Sequence, residues 1–227
     1  VLKVLANKDA VFNADGNAQL VATNKVLGSA TPYVGDYGIS KNPESLASDQ
    51  YRMYFTDKQR GAVLRLSRDG ITPISNVNMK TYFRERLKLC DTIIGTFDTV
   101  SGEYNVTLNT STQWGGANES TTVSFNEGSK GWISFKSFIP HSGLSISGKY
   151  ITTKHNKIYE HHVDEDEDGN NVSRNKFYGT RYNSEIQVLF NDLPGSIKSF
   201  KTINYEGTQA KINKHTNINN VSGLTTI

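Results

Sequence analysis

The chain has 227 residues, a formal net charge of +3, and 10% aromatic residues, including eleven Tyr and ten Phe. This is core material for one large all-β domain or two small ones. No apolar run approaches the roughly 18 residues of a membrane-spanning helix, and a small charge spread along the chain argues against a dedicated nucleic-acid surface.

Val1-Leu2-Lys3-Val4-Leu5 already has strand character. It lacks both an initiator Met and the apolar core of a signal peptide, so the expectation is a processed chain or a piece of a longer one. Residues 9–27 predict a hairpin. Val11-Phe12 and Leu20-Val21 flank Asn13-Ala14-Asp15-Gly16-Asn17, and Asp-Gly is a strong two-strand turn signal. Residues 28–50 predict a long connection, with one helical turn over Ser45-Leu46-Ala47-Ser48 after Pro43.

Three stretches then share one pattern: an aromatic, a polar turn former, a Gly-bearing loop and a second β-prone run. They are Tyr54-Phe55-Thr56-Asp57 to Gly61-Ala62-Val63-Leu64, Thr96-Phe97-Asp98 to Gly102-Glu103-Tyr104, and Ser124-Phe125-Asn126 to Gly131-Trp132-Ile133. Each predicts a pair of antiparallel strands. Between the first two, residues 78–88 predict the one helix, with Met79, Tyr82, Phe83 and Leu87 spaced three and four apart on a core face. Residues 92–138 predict four strands running out, back, out and back, interrupted by a polar loop from Asn109 to Ser120 that carries Trp114. Further on, Leu144 to Thr152 and Lys157 to Val163 predict a pair turned at His155-Asn156, and residues 176–190 and 196–206 add strand material. Phe55 and Phe97 lie about 42 residues apart, within the period of four-stranded propeller blades. A sandwich or open meander fits the same pattern. A closed propeller would need chain outside this segment, or partner subunits.

Candidate chemistry is sparse. Asp164, Asp166, Asp168 and Gly169 open like a calcium loop, but Asn175 stands where the closing acid belongs, and a charged hairpin tip accounts for the same residues. His155, His161 and His162 lie close by. Strand alternation would place His161 and His162 on opposite faces, a poor metal pair, with His162 and Asp164 sharing a face. Asp57, Asp98, Glu103 and Glu127 sit at turns, where acids ordinarily serve turn geometry; a glycosidase would need two of them across a cleft. Cys90, the single cysteine, has apolar neighbours and predicts a buried thiol. Lys58, Arg60, Arg65, Arg68, Arg84 and Arg86 make the most basic region, a solvated face or a contact for a polyanion or a neighbouring subunit. Trp114 and Tyr33 are candidate interface anchors or sugar-stacking platforms. Nucleotide-binding Walker and G-x-S-x-G nucleophile patterns are absent.

Asp36 to Ser45, Phe55-Thr56-Asp57-Lys58-Gln59-Arg60-Gly61 to Ser67, Val123 to Glu127 with Gly131 to Phe138, and Asn191-Asp192-Leu193-Pro194-Gly195 with Lys198 to Gly207 carry a likeness. Together they resemble virion structural proteins of tailed phages, most of all the cyanophage and T4-like marine type. The resemblance spans most of residues 5–211 and implies a portion of a longer virion protein, with no catalytic residues to carry over. The hairpin array is also similar in architecture to hub or muzzle proteins that close the tail channel of short-tailed phages, although architecture alone does not fix function.

The expectation is therefore an all-β antiparallel hairpin array, part of a β-propeller, with one short helix. Residues 1–30 would end a preceding β unit, 31–212 form the propeller-like domain and 213–227 a polar tail. The expected role is a non-enzymatic component of a phage tail, hub or baseplate, docking other virion proteins as a symmetric homo-oligomer through Trp114, Tyr33, Arg60 and Arg65. No cofactor is expected beyond calcium at Asp164, Asp166 and Asp168. The alternatives are a receptor module binding host glycans and a polysaccharide-degrading tail enzyme.

Overall fold

A computed structural model describes residues 1–13, 15–110, 120–166, 168–187, 195–197 and 199. The chain divides into two compact units, Val1–Ser184 and Glu185–Ile227. The described architecture belongs almost entirely to the first unit. It is mostly β, built from several antiparallel sheets with a single α-helix among the described residues. No helix there is long and apolar enough to cross a membrane.

Strands β1 (Leu2–Phe12) and β2 (Ala18–Pro32) form a two-stranded ribbon. The Asp-Gly turn closes it where the sequence places it: Gly16 has φ +80°, and its N–H donates to Asn13 O at 3.0 Å. At the open end, Tyr33 N–H donates to Val1 O at 3.1 Å. Val1–Leu5 is thus part of this ribbon. Its register shifts between Val4 and Lys8, so β2 bulges opposite Asn7.

The predicted helical turn near Ser45 is a 3-10 turn over Pro43–Ser45, and Ala47–Ser48 that follows is strand β3 rather than helix. β3 opens a four-stranded meander with β4 (Met53–Asp57), β5 (Ala62–Ser67) and β6 (Gly70–Pro73). Alternation puts Tyr54 and Val63 on one face, in the main core, and Phe55 and Leu64 on the other, in a smaller cluster with Tyr37, Ile39, Leu66 and Ile71. Helix α1 (Lys80–Leu89) inserts Phe83 and Leu87 into the main core and packs Met79 and Tyr82 against it, the predicted stripe.

β7 (Thr92–Asp98), β8 (Glu103–Asn109), β9 (Thr121–Asn126) and β10 (Gly131–Lys136) form a second four-stranded meander in the expected order. Tyr104, Val106, Leu108, Val123 and Phe125 fill the main core from this sheet. The two meanders meet through Tyr54, stacked on Tyr104 at 4.8 Å and on Phe97 at 5.7 Å between ring centroids. The 3-10 turn wedges against β7 at Gly95, where any Cβ would lie 2.0 Å from Ser45 O.

The third sheet contains β11 (Ser142–Ile146), β12 (Lys149–Lys154) and β13 (Lys157–Glu160). Leu144 to Thr152, predicted as one strand, is instead broken by a tight turn: Ser147 and Gly148 have φ +51° and +76°. His155 and Asn156, at +49° and +59°, form the predicted turn. Positive φ at both central residues suits the twist of a hairpin. Ser145 Oγ anchors β11 to β7, donating to Phe97 O at 2.7 Å and accepting from Thr99 N at 3.1 Å. A short hairpin, β14 (Lys176–Phe177) and β15 (Thr180–Arg181), completes the described elements. The described sheets do not close a ring.

Candidate functional sites: an apolar ribbon and an aromatic cleft

The ribbon exposes Leu2, Val4, Val11, Phe12, Leu20, Val21, Val26 and Leu27, with Phe12 at 69% and Val26 at 72%. Val11 and Phe12 are neighbours, as are Leu20 and Val21, so apolar side chains project from both faces. A surface ribbon that served only solvent would keep one face polar. Among the described residues, no other strand or helix packs broadly on it. Two-stranded ribbons are marginal on their own, and contiguous exposed apolar surface marks an interaction site.

The second site lies on the far face of the second meander. In β7, β8 and β9 the residues opposite the main core are Thr96, Asp98, Glu103, Asn105, Thr107, Thr122 and Ser124. This is the composition of a solvated face, yet all seven are buried. The five uncharged ones survive burial because they are hydrogen-bonded to one another, to Phe138 O or to Tyr150. Thr107 and Thr122 hydroxyls meet at 2.7 Å, Thr122 Oγ1 donates to Phe138 O at 2.6 Å, and Ser124 Oγ donates to Asn105 Oδ1. Tyr150 of β12 covers them. Its hydroxyl lies 2.7 Å from Thr96 Oγ1 and accepts from Asn105 Nδ2 at 3.4 Å.

Beside Tyr150 opens a cleft of about 310 Å³. Asp98 and Glu103, paired across the β7–β8 turn, form its floor. Asp98 Oδ1 accepts from Val100 N at 2.9 Å and Ser101 N at 3.3 Å, the turn chemistry expected of it, while Oδ2 accepts from His162 Nε2 at 2.6 Å. Glu103 Oε2 pairs with Lys136 Nζ at 3.0 Å. Aromatic rings line the walls: Phe138 lies 5.4 Å from Phe177 and 4.8 Å from His161, and Tyr159 lies 4.8 Å from Tyr178.

His161 and His162 both face this cleft, their rings 6.4 Å apart. The expected opposite orientation fails because β13 ends at Glu160 and His162 takes φ +61°, so strand alternation no longer applies. Burial, with His162 adjacent, pushes the His161 imidazole down to about 4. Its Nε2 lies 2.8 Å from Thr152 Oγ1, which also lies 2.8 Å from Tyr178 Oη. Burial raises the Tyr150 and Tyr178 phenols.

The other singled-out residues occupy separate places. Asp166 organises its own loop: Oδ1 accepts from Asp168 N at 3.1 Å and Asn170 N at 2.8 Å. Asp164 pairs with Arg174 at 2.8 Å. Among the described residues no group of three or more His, Cys, Asp or Glu could hold a metal ion. Arg60 pairs with Asp57 at 3.3 Å and Arg65 with Glu127 at 2.9 Å, so both cations are engaged within the chain. Tyr33 is half-buried at the open end of the ribbon. Trp114 lies outside the described residues. Cys90 is buried, and burial pushes its thiol up to about 11. Tyr150, Phe177 and Tyr178 are not singled out by the sequence, and Phe138 reads there only as part of a buried strand with Trp132 and Phe135. No local signal marked them, because the polar face of β7–β9 alternates as a solvated face would.

Residues 172–227 match the family described as Crassvirus muzzle protein C-terminal domain. The matched stretch includes Phe177 and Tyr178 of the cleft wall. No curated protein matches the chain. The match points to a phage virion protein, without singling out the cyanophage or T4-like type.

Proposed function

We propose that the chain is a structural component of a phage tail, of the muzzle type, whose work is docking other virion proteins rather than catalysis. The match over residues 172–227 carries this reading. The ribbon supports it physically. Eight large aliphatic or aromatic side chains are left in water on an element too thin to bury them, and an assembled neighbour would remove them from solvent. Its unpaired strand edges add backbone hydrogen bonding to such a contact. The proposal includes symmetric copies around the tail axis, since closed symmetry is the usual state of homo-oligomers. Serial four-stranded meanders are the unit of a propeller, and a propeller completed by further chain or by neighbouring copies belongs to the same proposal.

Incorporation into particles tests it. A phage carrying Phe12→Ser and Leu27→Ser should produce particles depleted of this chain, while the isolated variant keeps its melting temperature. Normal incorporation of the double variant would remove the ribbon from the assembly role. Absence of the unaltered chain from purified particles would end the virion reading.

A further inference from the structure

The cleft between the second meander and the β14–β15 hairpin has the chemistry of a ligand site, and we propose that it binds a neutral saccharide. The charges along it balance: Asp98, Glu103 and Glu160 against Lys136, Arg174 and Lys176, three and three. Carboxylates on the floor disfavour a phosphate or other polyanion. Those carboxylates already hold His162 and Lys136, so a cationic ligand has no uncompensated partner to seek. What remains is hydrogen-bonding capacity between aromatic walls. A carboxylate accepts at about four sites, and among the described residues Glu103 has Lys136 as its partner. Glu103 is only 8% exposed and lines the cleft together with Phe138, Tyr150 and Phe177.

Sugars match both halves of this surface. Their hydroxyls pair with carboxylates and ammonium groups, and their apolar C–H faces lie on aromatic rings, here Phe177 and Tyr178. A volume of about 310 Å³ stands at the small end of ligand pockets, roughly 300–1,000 Å³, the scale of one or two sugar rings. The sequence reading placed glycan contact at Trp114 and Tyr33; the cleft is a different site, formed where the His161–His162 turn brings its residues beside Asp98. This inference is independent of the assembly role: a chain that docks into particles without binding sugar would sink it and leave that reading intact.

The test is titration of the purified chain with methyl glycosides of glucose, galactose, mannose and N-acetylglucosamine and with their disaccharides. It is followed by saturation-transfer NMR and by the ring signals of His161 and His162. At least one probe should bind and shift both histidines. Glu103→Gln should weaken it about 10-fold or more, the effect of removing a charged hydrogen-bond acceptor. Phe177→Leu, which keeps apolar bulk but removes the stacking face, should weaken it as well. Thermal melts show whether each variant remains folded, and the histidine shifts on the unaltered chain keep the test decisive if one does not. No binding across the panel, binding that leaves the histidine signals fixed, or stronger binding of a sulfated disaccharide than of its neutral parent would each overturn the proposal.

Discussion

Tyr54 Oη donates to Glu127 Oε1 at 2.8 Å, tying the first meander to the β9–β10 turn of the second. Arg65 Nη1 reaches the other oxygen of the same carboxylate at 2.9 Å. Burial and the Glu127 carboxylate together push the Tyr54 phenol well above its ordinary value, so it remains a donor. Tyr54→Phe keeps the stacked ring and removes one charge-assisted bond, which should cost about 2 kcal/mol in urea unfolding. Glu127→Ala should cost more, because it also strips Arg65 of its partner. A double-mutant cycle between positions 54 and 127 should show coupling; strictly additive effects would mean that the contact does not join the sheets.

Gly95 is required by space. Alanine there would drive its Cβ into Ser45 O and within 3.1 Å of the Tyr104 ring, whose hydroxyl donates to the same Ser45 O at 2.9 Å. Gly95→Ala should destabilise by about 3 kcal/mol or prevent folding. Gly38→Ala, at a position with nothing within 4 Å of a new Cβ, is the matched control and should leave the denaturation midpoint near its starting value.

Acid should weaken the fold in a window set by His161. Its folded value near 4 lies below the ordinary 6.5, so the unfolded chain takes up a proton that the folded chain refuses. Stability contributed by the neutral ring is full above about 6.5 and is lost as pH falls toward 4, by up to roughly 3 kcal/mol. Asp57 acts lower still. Burial opposes its charge, but hydrogen bonds from Arg60 N, Gly38 N and Ser40 Oγ hold it below the usual carboxylate range, so its contribution goes only below pH 4. Melting temperatures from pH 7 to 4 should decline in the unaltered chain and decline less in His161→Gln. Identical slopes would exclude His161 as the cause.

Cys90 should resist thiol reagents. It is 2% exposed and its thiol is pushed up to about 11, so the reactive thiolate is scarce and shielded at pH 8. Modification by an aromatic disulfide reagent should proceed at the rate of opening and become immediate in denaturant. Rapid labelling of the folded chain would contradict the burial of Cys90 in the main core at the end of α1.

Local signals carried most of the fold. Asp15-Gly16 marked the ribbon turn, the Met79–Leu87 spacing marked the helix, and the runs Thr96-Phe97-Asp98 to Gly102-Glu103-Tyr104 and Ser124-Phe125-Asn126 to Gly131-Trp132-Ile133 marked the second meander, because each depends on neighbours within a few residues. The Ser147-Gly148 turn was missed for the opposite reason: β-prone residues on both sides made one continuous run, and the bend rests on two positive φ values that Ser does not advertise. The cleft was illegible because it depends on distance. Asp98 meets His162 sixty-four positions away, and Thr96 meets Tyr150 fifty-four positions away. A buried polar face carries the same residue alternation as a solvated one until its cover is known.

The most direct test is a density map of the assembled phage particle with this chain traced in it. The account predicts the chain in the tail, with the β1–β2 ribbon enclosed by neighbouring subunits and Phe12, Val26 and Leu27 removed from solvent. A particle lacking the chain, or one in which the ribbon projects freely into solvent, would contradict it.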